Sequence, residues 1–285
     1  MKVSHLLIAL IVMILFGSSY PVGKIGLQMN MSPFQFATIR IFAMMIILLP
    51  FLKLPALKKE NFKYVIGYGL LMCVGLYPLM YLALFYTEST SSIILIMQFS
   101  IPIGVLLGSI VLKEKVSRHR WYLIILILVG MALICFEPTV LNTPIALIFG
   151  FIAAVCYGIA SMISRKIANF SAIEVNGWMA VIGLPVIALT SLIFDTRGLE
   201  ELFQFSWQEY LPAIYSGVAI SCGAQILMLW LYKHYDVQVV LPLYSLFPVF
   251  GVLLTVLMLQ EQVSMMIIIG GLIVVSGNYL LVKIK

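Results

Sequence analysis

FSIPIGVLLGSIVLKEKVS (residues 99–117) and SLFPVFGVLLTVLMLQEQVS (245–264) are one pattern written twice. Each has a proline early in an apolar run, the tetrad Gly-Val-Leu-Leu, and a glutamate where the run ends, Glu114 and Glu261. The match continues downstream, with Gly130 standing 16 residues beyond Glu114 and Gly277 standing 16 beyond Glu261. It reappears upstream, where FGSSYPVGK (16–24) aligns with YGIASMISR (157–165), a small-residue segment ending in a cation. Self-similarity at this spacing predicts a duplicated architecture.

The duplicated unit is a set of membrane spans. Of 285 residues, 63% are hydrophobic and 10% charged, with a mean hydropathy of +1.12. A soluble domain carries about 45–50% apolar and about 25% charged residues. A span needs about 20 apolar residues. Ten such runs lie between the charges and turn residues, at 5–27, 33–52, 64–86, 91–112, 120–136, 145–164, 175–194, 210–232, 237–259 and 265–283. No soluble domain fits in the remainder. The opening MKVSHLLIALIVMILFGSSY reads as the first span, uncleaved, because its apolar stretch runs on past Gly-Ser-Ser. The longest connector, 195–209, carries Phe203, Phe205 and Trp207, which suit the headgroup layer. Five spans per repeat is an odd number, so the second copy must lie inverted. The predicted fold is an all-α integral membrane protein of ten transmembrane helices. They form two inverted five-helix repeats, 1–140 and 141–285, a recurrent build of secondary transporters with substrate bound near midplane between the repeats.

Charge placement agrees with ten spans. With the N-terminus in the cytoplasm, 14 of the 17 Lys and Arg fall on the inner side, and only Lys24, Arg40 and Arg197 on the outer. That is the positive-inside asymmetry, and it predicts both termini in the cytoplasm. The net charge of +6 follows from topology and implies no nucleic-acid partner, since no basic stripe with interleaved aromatics is present. Cys73, Cys135, Cys156 and Cys222 sit in apolar runs without CxxC spacing, so neither a disulfide nor a metal site is expected. No P-loop exists to drive transport with ATP. No span carries a nucleophile with a base or a pair of acids, so an intramembrane enzyme is not expected, nor is any cofactor. A channel would show like-charge rings or a filter sequence, and neither is visible.

Polar groups inside spans are costly and face the bundle interior. The candidates for solute contact are Tyr77, Tyr81, Gln98, Tyr157, Gln225, Tyr244 and Arg40. Tyr77 and Tyr81 lie four apart, hence on one helix face. A glutamine amide offers donors and an acceptor, suited to a carboxylate or an ammonium, so Gln98→Ala and Tyr81→Ala are expected to abolish transport. Arg40 lies about two turns inside its span, either meeting a substrate carboxylate at an outer gate or bonding carbonyls of a broken first helix. Lys24 sits near the outer end of its span, where it can snorkel or join that gate. Glu261 has no cation beside it in sequence and is the better candidate, relative to Glu114, for pairing across the fold. No Asp or Glu lies at mid-span, so a proton, the candidate coupling ion, would have to use one of these two peripheral acids.

The helix-one pattern FGSSYPVGKIG, the arginine in ATIRIFAMMI, and the twin segments ending LKEKVS and LQEQVS resemble the EamA family of the drug/metabolite transporter superfamily, over essentially the whole chain. The resemblance implies a multi-pass protein of a bacterial-type inner membrane. It further implies alternating access and export of small-molecule substrates such as amino acids. It also implies a central cavity lined from spans three, four, six and nine, which matches Tyr77, Tyr81, Gln98, Tyr157 and Tyr244 by position. The alternative is a carrier of nucleosides, organic cations or drug-like compounds, in the uptake or exchange direction.

Overall fold

The computed structural model describes residues 3–52, 60–111, 117–167, 169–195, 204–235, 240, 243 and 246–283. Among them, nine helices are long and apolar enough to cross a membrane. They are α1 (Val3–Gln28), α2 (Pro33–Phe51), α3 (Phe62–Tyr86), α4 (Thr90–Val111), α5 (Arg118–Cys135), α6 (Pro144–Ile167), α7 (Ala172–Phe194), α8 (Trp207–Met228) and α10 (Met265–Lys283). Between the last two lies a shorter apolar helix, α9 (Phe247–Leu259). The expected ninth span began at 237, and most of its first ten residues lie outside the described residues. Beyond Met228 the α8 backbone stays helical to His234. Phe205 lies just before α8 and packs edge-on against Tyr210, with ring centroids 6.0 Å apart.

The helix contacts repeat in pairs. Contact of α1 with α9 is matched by α6 with α4, α3 with α6 by α8 with α1, and α3 with α7 by α8 with α2. Three pairs of helices that a two-fold would exchange with each other, α2 with α7, α4 with α9 and α5 with α10, pack directly on one another. Equivalent helices run antiparallel. Ser32, the N-cap of α2, donates to the Asp195 carboxylate at the end of α7. Ser264, just before α10, donates to Glu137 beyond the end of α5 at 2.6 Å. The second five helices are therefore an inverted copy of the first, and the duplicated sequence pattern has its structural counterpart.

Lipid is as apolar as the core, so small residues and backbone contact hold such a bundle together. At the α1–α9 crossing, a Cβ on Gly17 would stand 2.7 Å from the Gly251 nitrogen. The pseudo-symmetric α4–α6 crossing pairs Gly104 with Gly158. Large apolar side chains such as Ile193, Leu257 and Leu272 are exposed and form the lipid-facing belt.

Both α3 and α8 loosen into π-helix midway, at Leu71–Leu76 and Ser216–Ala224. Each follows or precedes a proline, Pro212 in α8 and Pro78 in α3, that removes a backbone donor from the ladder. In α8 the wider turn is reinforced by Ser221, whose hydroxyl donates to the Ser216 carbonyl five residues back at 3.1 Å. π segments tend to occur at functional positions, and here both border the central cavity.

The far end of the bundle, opposite the start of α1, is tied by charged groups at helix termini. Lys24 Nζ donates to the Leu84 and Thr87 carbonyls at 2.7 and 2.6 Å, closing the C-terminus of α3. Glu261 accepts from Ser89 Oγ, Thr90 N and Ser91 N at 2.8–3.1 Å, closing the N-terminus of α4. Each charge sits where the helix dipole favours it. Lys24 thus spends its donors on backbone, and Glu261 finds its partner across the fold on a helix end. Glu261→Ala leaves two amides and a hydroxyl without their acceptor. The expected cost is about 1–2 kcal/mol, read as a lowered melting temperature in detergent, with Glu261→Gln falling between the two.

Candidate functional site

The register of α2 and α7 is set by matching starts. Asn30-Met31-Ser32 and Asn169-Phe170-Ser171 each end in a serine N-cap with a capping box, closed by Gln35 in one and Glu174 in the other. Eight residues beyond each cap the copies diverge, because Arg40 stands where α7 has Met179. The duplication has thus placed a cation in one half only, at the middle of α2.

Around it lies a cavity of about 80 Å³, bordered by α1, α2, α3, α4, α6, α7, α8 and α9. That volume is below the range of open small-molecule sites, so the walls must part to admit a solute. Tyr77 and Gln225, the first residues after the two π segments, both line it. So do Phe16 and Tyr157, the equivalent residues of the upstream repeat match. Ser19, Tyr20, Asn176 and Ser221 add polar groups, and Met72, Leu76, Met80, Met97, Ile220 and Phe247 supply an apolar wall.

Arg40 is only 4% exposed. Its Nε donates to Ser221 Oγ at 3.1 Å, and Nη1 donates to Ser19 Oγ at 3.3 Å and to the Tyr81 hydroxyl at 2.6 Å. The guanidinium carbon lies 4.3 Å from the centre of the Tyr77 ring, a cation–π stack. Four neutral groups from α1, α3 and α8 thus hold one cation. Among the described residues no carboxylate lines the cavity or bonds Arg40. Burying a charge without a counter-charge is costly, and a protein that keeps one has a use for it.

Of the seven residues singled out by sequence, Arg40, Tyr77, Tyr157 and Gln225 line this cavity. Tyr81 stands behind Arg40, fully buried, with its ring on Phe36 at 4.5 Å and its hydroxyl on the guanidinium. Tyr244 lies outside the described residues. Gln98 is placed elsewhere: it is 2% exposed, does not border the cavity, and its backbone carbonyl accepts from Asn278 Nδ2 on α10 at 3.3 Å. Its neighbour Met97 takes the lining position. The Gln98 Oε1 and Asn278 Oδ1 atoms are buried without a partner. Exchanging such an amide for an apolar group of similar shape is near neutral or stabilising. Gln98→Met is accordingly expected to keep transport within about two-fold and to leave stability unchanged or up to about 1 kcal/mol better, measured by uptake and thermal scans.

Arg40 bonds hydroxyls, not the carbonyls of a broken first helix, because α1 runs unbroken through Pro21 from Val3 to Gln28. Ser221 escaped the sequence reading, since SGVAISCGA resembles ordinary small-residue packing. At the near end of the bundle, His5 Nδ1 meets the Tyr235 hydroxyl at 2.7 Å, and the His5 ring packs edge-on against Trp230 at 4.8 Å. This contact ties the start of α1 to the end of α8.

Known proteins agree with this architecture. One solved crystal structure of a protein superposes with a TM-score of 0.59 at 17% identity, covering 98% of this chain and 96% of that one. The "Probable amino-acid metabolite efflux pump" of Salmonella typhimurium is 25% identical over 285 residues, 96% of this chain and 93% of that protein. The Escherichia coli (strain K12) protein of the same name is 23% identical over 283 residues, with the same coverage. The "Uncharacterized transporter YoaV" of Bacillus subtilis is 23% identical over 279 residues, 94% of this chain and 93% of its own. The family description "EamA-like transporter family" matches residues 3–136 and again 144–283. With both halves matched, the chain belongs to the EamA-like transporter family, an integral membrane transporter and not an enzyme.

Proposed function

We propose that this transporter exports small metabolites bearing a carboxylate, amino acids or their relatives, by alternating access across a bacterial-type inner membrane with both termini in the cytoplasm. The observation that carries this reading is Arg40, a buried cation at the cavity wall held by hydroxyls and the Tyr77 ring and, among the described residues, by no carboxylate. A carboxylate on the solute supplies the missing counter-charge through charge-assisted hydrogen bonds. The relatives named as amino-acid metabolite efflux pumps support the solute class and the outward direction. The placement of Lys and Arg in the sequence supports the orientation.

The halves 1–140 and 141–285 serve as the two moving units. Their cross-links lie at opposite ends: Ser32–Asp195, Glu137–Ser264 and Glu261 on α4 at the far end, and His5–Tyr235 at the near end. Alternating access breaks one set while the other holds. Glu261 is also the acid through which a proton gradient would act. Uptake of labelled amino acids and related acids into proteoliposomes, with and without a pH gradient, tests the reading. Saturable uptake of one group, competed by its unlabelled members, is the expected result. If no carboxylate-bearing solute is taken up under either condition, the nucleoside or cation alternative replaces this one.

A further inference from the structure

We infer that the cavity selects monoanionic carboxylates with an apolar chain, such as 2-oxo acids and N-acylated amino acids, over the zwitterionic amino acids themselves. The inference rests on the carboxylate reading of Arg40 given above and asks what the same site offers to the rest of the solute.

A solute carboxylate neutralises Arg40. An amino acid then brings a second charge, an ammonium held one carbon away from that carboxylate and hence close to the guanidinium. Like charges at that distance repel, and more strongly in a low-dielectric site than in water. A carboxylate in the wall would relieve this, but among the described residues none lines the cavity, and the sequence places no Asp or Glu at mid-span in any of the ten runs. The neutral acceptors nearest the guanidinium are engaged: Ser19, Tyr81 and Ser221 each accept a bond from Arg40. The Tyr77 ring, which would otherwise offer a face to an ammonium, is already stacked by the guanidinium at 4.3 Å. An ammonium entering this wall loses its water and gains no partner of opposite sign.

A keto or acylamido group in place of the ammonium removes the repulsion and leaves the site neutral. The apolar part of the lining, with Met72, Met80, Met97, Phe16, Ile220 and Phe247, matches an aliphatic or aromatic chain. Thioether side chains adapt to varied shapes, so the charge of the headgroup, more than the form of the chain, sets the preference.

Four probes sharing one side chain separate the possibilities: 4-methyl-2-oxopentanoate, N-acetyl-leucine, leucine and leucine methyl ester. Their dissociation constants are measured by titration calorimetry on the full chain in nanodiscs at pH 7, alongside Arg40→Met. The two monoanions are expected to bind at least ten-fold more tightly than leucine, with the ester showing no binding and Arg40→Met erasing the difference. Leucine binding as tightly as the monoanions overturns the charge preference while the carboxylate reading stands. Ester binding equal to that of leucine, or binding of none of the four, overturns the carboxylate reading and this inference with it.

Discussion

Arg40→Met is expected to lower transport at least 100-fold while leaving folded yield and melting temperature at or above those of the parent. The two halves of that expectation come from one fact. Arg40 is buried at 4% exposure with hydroxyls and an aromatic face around it and, among the described residues, no carboxylate. In the empty state its charge is stabilised by hydroxyl dipoles and the Tyr77 ring, so replacing it with an apolar chain removes a desolvation cost that exceeds what those neutral groups return. In the loaded state the same charge meets the solute. Two charge-assisted hydrogen bonds at about 1.5–3 kcal/mol each amount to two or more factors of ten, at about 1.4 kcal/mol per factor. Arg40→Lys keeps the charge and loses the planar fork that spans Ser19, Tyr81 and Ser221, and an intermediate loss of about ten-fold is expected on that ground. Tyr81→Phe tests positioning, because Tyr81 touches the guanidinium and not the cavity. It should raise KM with little change in kcat. Uptake assays on purified, reconstituted variants check all three. An Arg40→Met protein that transports normally removes the basis for the carboxylate reading.

The sequence reading reached the architecture because that information is written in quantities that lipid enforces. Apolar run length, the side on which Lys and Arg fall, and the spacing of Pro102 and Pro248 to Glu114 and Glu261 all survive without knowledge of packing. The inward direction of a side chain is not written that way. In a soluble helix the polar face points out, but here both the lipid face and the core face are apolar, so Gln98 and Met97 cannot be told apart by periodicity. The structure gives the lining position to Met97 and places Gln98 in the contact with α10. Arg40 was visible as the rare charge inside a span, but its partners come from three other helices and depend on their crossings. The π segments were invisible because a proline and a small residue fit an α-helix, a kink or a wide turn equally well. The choice of wide turn is made by tertiary contacts such as that of Gly217 with α2.

That contact carries the second large expectation: Gly217→Ala should destabilise the fold by about 1–3 kcal/mol and reduce transport, whereas Gly67→Ala should stabilise it by about 0.5–1 kcal/mol. Both glycines lie within helices, so propensity alone predicts a gain for each. They differ in what a methyl group would meet. At Gly67 the nearest atom is the flexible end of Ile163, 4.0 Å away. At Gly217 the Cβ would stand 2.4 Å from the Arg40 carbonyl oxygen and 2.9 Å from the Ala43 Cβ. Backbone cannot rotate aside as a side chain can, so α8 must withdraw from α2. Ser221, one helical turn further along α8, then moves away from the guanidinium whose Nε it accepts at 3.1 Å. Packing and site are therefore one mechanism at this crossing. Thermal unfolding of the two variants in the same detergent gives the comparison, and solute binding gives the second readout. If Gly217→Ala is as stable as Gly67→Ala, α8 does not touch α2 through its backbone. If it is less stable but binds solute normally, Ser221 does not help to hold Arg40 in place.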